Sequence, residues 1–180
     1  MLSPKKIRLV HGDITRAEVD AVVNAANPVM LGGGGVDGAI HYAAGPRLRE
    51  ACRRIAAVNG VRCPPGEARI TPGFNLRAKW VIHAVGPRYR LDPEPERLLR
   101  SAYAASLRLA LDNDCRTIAF PAISCGAYGY PVEEAAAIAL DVCSEQQWQG
   151  LAISFYLFSE HMLAVWQQAL RQMEQRQETR

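Results

Sequence analysis

Residues 24–41 read Asn-Ala-Ala-Asn-Pro-Val-Met-Leu-Gly-Gly-Gly-Gly-Val-Asp-Gly-Ala-Ile-His, and these types at this spacing can do chemistry. Four consecutive glycines expose backbone N–H groups without side-chain hindrance, and a short helical segment at 36–44 follows at once. A glycine loop feeding a helix N-terminus collects donors and positive dipole, which suits a phosphate or diphosphate. Asp37 falls in the first turn of that helix, where the dipole is expected to hold it ionised. His41, four residues on, shares its face. A flexible linker is the plain alternative, but linkers carry Ser or Pro and separate domains, whereas these glycines interrupt an apolar pattern. No Gly-Lys-Ser/Thr follows, and Gly-x-Gly-x-x-Gly with an acid about 20 residues downstream does not fit.

A second glycine-bearing loop, Pro-Ala-Ile-Ser-Cys-Gly-Ala-Tyr-Gly-Tyr-Pro at 121–131, runs from an apolar strand toward another helix. Asp13 ends a strand in Gly-Asp-Ile-Thr. The local pattern makes it the cap of a short helix near 16–19, with ligand binding at a strand end as the other role. His11 reads as a strand-end packing residue. Asn24 and Asn27 suit two roles equally: turn formation, or amides that fix the glycine loop and read ribose hydroxyls. His83 alternates with apolar neighbours and reads as a satisfied core histidine.

Positioning these groups requires strands, predicted at 7–10, 20–24, 67–71, 80–85, 117–120 and 151–158. Helices are predicted at 36–44, 46–58, 96–112, 132–147 and 160–174, with a Gly/Pro turn at 59–66. Strands alternating with helices make an α/β sandwich with helices on both faces of a largely parallel sheet. Ligands of such sheets bind beyond the carboxyl ends of the strands, so the two glycine loops can meet over one extended ligand.

At 180 residues the chain reads as one domain, residues 1–175, with a polar, frayed tail at 176–180. A chain of this size buries roughly 70% of its unfolded surface, and an apolar content of 49% supplies the core. The net charge of +3 lacks the basic stripe of a dedicated nucleic-acid binder. No apolar run approaches the roughly 18 residues of a membrane span. Five cysteines, at 52, 63, 115, 125 and 143, form no regular framework. With a short polar stretch at 1–6 and no signal-like start, they predict reduced thiols and a cytoplasmic location. The four histidines have no partners at metal-ligand spacing, so no metal and no cofactor is expected.

Gly12-Asp-Ile14, Asn24-Ala-Ala-Asn27, the 32–41 run, Val81-Ile-His-Ala-Val-Gly-Pro87 and Ala119-Phe-Pro-Ala-Ile-Ser124 with Gly126 together resemble the macrodomain family, most closely its MacroD-type branch. The resemblance covers about residues 6–170. It implies a three-layer α/β/α fold with a mixed six-stranded sheet, binding of ADP-ribose, and hydrolysis of mono-ADP-ribose from acidic side chains and of the acetyl ester of O-acetyl-ADP-ribose. It places Asp13 and the Ile14 backbone on the adenine, with Phe158 packed against it. Gly33, Gly34, Gly35 and Val36, with Ser124, Cys125, Gly126, Ala127 and Tyr128, match the loops around the diphosphate and distal ribose. Asn27 matches the ribose asparagine and Asp37 the catalytic acid, with His41 beside it. Cys125 stands where many relatives have Thr, and Ser159 where many have an acid. Implied partners are ADP-ribose, its esters and ADP-ribosylated proteins. Other branches resemble non-catalytic readers, and similar bacterial proteins are linked to control of a double-strand ribonuclease.

Overall fold

Alternation along the strands decides which helices each residue meets. The computed structural model describes residues 7–179; residues 1–6, which bear on the expected domain start and signal, and Arg180 lie outside them. One sheet has the order β1-β6-β5-β2-β4-β3, built from β1 (Ile7–His11), β2 (Ala21–Ala25), β3 (Ala68–Pro72), β4 (Trp80–Ala84), β5 (Thr117–Phe120) and β6 (Ala152–Leu157). β3 lies antiparallel on β4, and the other pairs are parallel. The helices are α1 (Gly35–Ala44), α2 (Pro46–Arg53), α3 (Pro95–Asp112), α4 (Val132–Cys143) and α5 (Glu160–Glu178). This is the mixed, largely parallel α/β/α sandwich expected.

Val23 of β2 and Ile82 of β4 enter one apolar layer with Tyr103 of α3, Ala139 of α4 and Trp166 of α5. Val22, Val81 and Ala119 enter the opposite layer with Ile40 of α1 and Leu48 and Cys52 of α2. By the same period of two, Asn24 follows Val22 and His83 follows Val81 toward α1 and α2. The β2–β4 register sets Asn24 directly beside His83.

Beyond shifts of one residue at an end, four elements differ from expectation. α2 ends at Arg53 rather than at 58, and Val58 instead forms a backbone pair with Val61 at 2.9 and 3.0 Å across Asn59 (φ 54) and Gly60 (φ 79), which turn left-handed. Asn-Gly favours this tight reversal. α4 stops at Cys143, and a 3-10 turn at Gln146–Trp148 then buries the Trp148 ring. α5 continues to Glu178, so the segment expected to fray is helical as far as that residue. Ser159 caps its start by accepting from Met162 N at 3.1 Å, and its Gln, Glu and Arg residues are good helix formers. The short helix near 16–19 is instead a 3-10 turn at Ile14–Arg16. Among the described residues no helix is long and apolar enough to cross a membrane.

Candidate active site

A cavity of about 910 Å³ opens beyond the carboxyl ends of the parallel strands, lined from both glycine loops. Its centre lies over β2 and β5, neighbours in the sheet from which the chain departs in opposite directions, the usual place for a ligand in an open α/β fold. Asp13, Ile14, Asn27, Gly33, Gly34, Gly35, Val36, Asp37, Ser124, Cys125, Gly126, Ala127, Tyr128 and Phe158 all line it. His41 does not. It stands behind Asp37, with Nε2 3.4 Å from Oδ1 and its side chain only 13% exposed.

At one end, Asp13 caps the 3-10 turn: Oδ1 accepts from Thr15 N at 2.9 Å and Thr15 Oγ1 at 2.7 Å. Those two hydrogen bonds, chiefly, hold its carboxyl below the usual range. The cap uses Oδ1, and Oδ2 remains for a ligand, so capping and binding are compatible roles. Phe158 is 80% exposed beside this end, as befits a ring that packs on a ligand face. His11, expected to pack, is exposed and lines the cavity.

The loops are held by their own side chains. Asn27 Oδ1 accepts from Met30 N at 3.0 Å and Nδ2 donates to the Gly32 carbonyl at 3.1 Å, so the loop-fixing role is realised. α1 begins without a side-chain cap, which leaves its first N–H groups to the cavity side. A Cβ on Gly33 would stand 3.0 Å from Asp37 Oδ2 and 3.2 Å from Asn27 Nδ2; glycine keeps the space between them open. In the second loop, the buried Ser124 hydroxyl donates to the Pro87 carbonyl at 2.7 Å. It therefore ties two loops together, and what this loop presents to a ligand is backbone. The Cys125 thiol donates to the Ile123 carbonyl at 3.6 Å, and burial pushes it up to about 12. Half-buried Tyr128 is anchored by its carbonyl, which accepts from Tyr89 N at 2.9 Å.

Asp37 is nearly buried (5% exposed). Burial, rather than the helix dipole, dominates and raises its carboxyl above the usual range. Donation from Asn24 Nδ2 to Oδ1 at 2.7 Å and the neighbouring His41 pull in the opposite direction. A partly desolvated carboxylate with one oxygen tied back and one facing a cavity is suited to accept a proton from water.

Gly86, quoted within the Val81–Pro87 motif but given no site role, lines the cavity, and any Cβ there would collide with Ser124 Oγ and Ile123; only a glycine lets the loop after β4 pass the second glycine loop. Sequence reasoning missed Tyr156 and Met162 in the lining, which carry no polar signal. The histidines were read as isolated, yet donor atoms of His41, Cys52 and His83 lie within 4.8 Å of one another. Burial holds the Cys52 thiol up at about 11 and His83 down at about 3, and His83 engages hydrogen-bond partners through both ring nitrogens.

The sequence pattern of the Macro domain matches residues 23–139. The chain belongs to the Macro domain family. A macro domain-containing protein of Vibrio parahaemolyticus is 60% identical, covering 92% of this chain and 98% of the relative. The O-acetyl-ADP-ribose deacetylase of Citrobacter rodentium is 50% identical over 93% of this chain and 96% of its own. Among solved structures, the Oceanobacillus iheyensis macrodomain with ADP superposes with a TM-score of 0.88 at 43% identity, covering 93% of this chain and 91% of that one. The Trypanosoma brucei macrodomain in complex with ADP-ribose gives 0.80 at 39% identity, over 92% of this chain and 69% of that one. The macrodomain fold of this chain thus carries its cavity where both glycine loops converge.

Proposed function

We propose that this macrodomain is an ADP-ribose-binding hydrolase that removes mono-ADP-ribose from acidic side chains and deacetylates O-acetyl-ADP-ribose. The observation that carries the reading is a single cavity with a free carboxylate oxygen on Asp13, after β1, and a desolvated carboxylate, Asp37, in the first turn of α1. β1 and β2 are separated by β6 and β5, so the strand ends that lead to the two acids lie about 14 Å apart across the sheet at ~4.8 Å per strand. That span fits an extended nucleotide diphosphate sugar.

In this reading Asp13 Oδ2 accepts from the adenine amino group, and Phe158 covers the base. The uncapped start of α1 and the backbone of residues 124–128 surround the diphosphate. Asn27 holds the distal ribose, and Asp37 Oδ2 takes a proton from the attacking water. The water oxygen bonds to the ester's electrophilic carbon, the ester C–O bond breaks, and the departing oxygen gains a proton. Acetate or a free side-chain carboxylate leaves ADP-ribose behind. General-base assistance contributes typically 10²–10⁴-fold, and positioning adds to it.

The test is a thermal shift with ADP-ribose set beside ribose 5-phosphate, followed by kcat/KM on O-acetyl-ADP-ribose and on mono-ADP-ribosylated protein. At ligand 100 times Kd the linkage gain is about 2.7 kcal/mol. No shift with millimolar ADP-ribose overturns the binding reading. A shift without turnover of either ester leaves a reader module instead of a hydrolase.

A further inference from the structure

Behind Asp37 runs a line of buried polar groups that lies outside the cavity lining. Thr71 Oγ1 is 3.0 Å from His83 Nε2, His83 Nδ1 is 3.3 Å from Asn24 Nδ2, and Asn24 Nδ2 is 2.7 Å from Asp37 Oδ1. Asn24 and His83 have no exposed surface, and Thr71 is buried. An amide nitrogen only donates, so His83 Nδ1 accepts and the ring proton resides on Nε2. That proton goes to Thr71 Oγ1, whose own hydrogen goes to the Pro72 carbonyl at 3.1 Å. Every member of the line has one fixed role. Asn24 Oδ1, by contrast, is buried with no hydrogen-bond partner among the described residues, an arrangement that costs stability and that folded proteins ordinarily avoid. The fold accepts that cost and keeps both amide N–H groups aimed at His83 and Asp37.

We propose that Thr71, His83 and Asn24 are positioning residues for Asp37, holding Oδ1 inward so that Oδ2 is the oxygen presented to substrate. The proposal rests on the reading of Asp37 as the proton acceptor. Oδ2 is the oxygen nearest Gly33, at the wall of the cavity. The other titratable groups around Asp37 are His41 on its own helix, Cys52 from α2, His83 from β4 behind Asn24, and Tyr128 from the loop after β5. Burial keeps the Cys52 thiol, the Tyr128 phenol and the His83 ring uncharged near neutrality. The Asn24 donor and His41 are therefore what offsets the burial of Asp37. His83 constrains the Asn24 donor because a ring with a fixed lone pair on Nδ1 admits only one orientation of the amide.

The experiment follows the Asp37 carboxyl by ¹³C NMR in ligand-free protein, beside the pH profile of kcat and the Kd for ADP-ribose. Asn24→Leu and His83→Leu should each raise the Asp37 midpoint by about one unit or more and move the acid limb of kcat up with it, while Kd stays within about threefold. His83→Asn, whose Oδ1 can stand in for Nδ1, should return both toward the wild-type values. Thr71→Val, nearly isosteric and at the far end of the line, should give a smaller shift of the same sign, and it serves if the leucine variants do not fold. An unmoved midpoint in folded variants, or no rescue by His83→Asn, overturns the relay. Midpoints that move in a protein without turnover uphold the relay and overturn the hydrolase reading.

Discussion

Asp13 and Asp37 line the same cavity, yet their surroundings are opposite. Asp13 is exposed, and donors from Thr15 keep its carboxyl below the usual range. Asp37 is buried, and desolvation lifts its carboxyl above it. An acid held firmly ionised at a strand end can accept a hydrogen bond from a base but has little appetite for a proton. An acid raised by burial has that appetite. In the proposed function one residue type serves recognition at one end and chemistry at the other, and environment divides the roles.

The sharpest way to break the comparison is Asp37→Ala. If Asp37 acts in the transition state, kcat should fall by about 10²-fold or more while the ADP-ribose Kd stays within a few-fold. Single-turnover rates on mono-ADP-ribosylated protein and calorimetric Kd values measure the two. Loss of binding in proportion to rate would make Asp37 a ligand anchor. Full retention of rate would send the search to His41. Asn27→Ala should differ by harming both, since its amide fixes the glycine loop through Met30 and Gly32.

Asp13→Asn comes next in size. Asn still offers Oδ1 to Thr15 and remains a good N-cap, so the 3-10 turn should persist while the second oxygen becomes an amide donor. Affinity for ADP-ribose should weaken by roughly 1–3 kcal/mol, the scale of one charged hydrogen bond, with kcat at saturation little altered. Unchanged affinity together with a more easily melted protein would show that capping is the whole role of Asp13.

These assignments were legible where the chemistry is local. The glycine run, the i, i+4 step from Asp37 to His41 and the cap position of Asp13 are short-range patterns, and α1 and the 3-10 turn realise them. What sequence could not reveal depends on register. Asn24 and His83 are partners because β2 lies beside β4, and nothing in either neighbourhood announces a pairing across 59 residues. Ser124 was matched to a ligand loop through the family resemblance, and it lines the cavity; that its hydroxyl is donated to the Pro87 carbonyl depends on a loop 37 residues away and was not readable. The turn at Asn59-Gly60 was read from sequence, but not that Val58 pairs with Val61 across it instead of closing the helix before it. The dipole argument expected Asp37 to be held ionised, whereas burial raises its carboxyl, and burial is a tertiary quantity.

The smallest effect expected concerns stability, and it sets the two acids against each other by sign. Asp37 binds its proton more tightly folded than unfolded. The stability it lends is therefore complete below the ordinary carboxylate value and is lost as pH rises through its folded value. Above that folded value the folded protein holds a desolvated charge. Asp37→Asn removes that charge, and its Oδ1 still accepts from Asn24, so it should melt higher than wild type at pH 7, by ~2–4 °C for each kcal/mol recovered. The difference should close toward pH 4, as wild-type Asp37 takes up its proton. Asp13 follows the reverse course: its folded value is depressed, so its contribution is present above the ordinary value and lost as pH falls through the folded one. Asp13→Asn should accordingly melt slightly lower at pH 7, by less than Asp37→Asn gains because Asp13 is exposed to solvent, and the gap should narrow in acid. Melting temperatures of the three proteins at pH 7 and pH 4 decide it. An Asp37→Asn protein less stable than wild type at pH 7 would mean that the ionised carboxylate is an asset to the fold, held by Asn24 and His41 more strongly than burial opposes it.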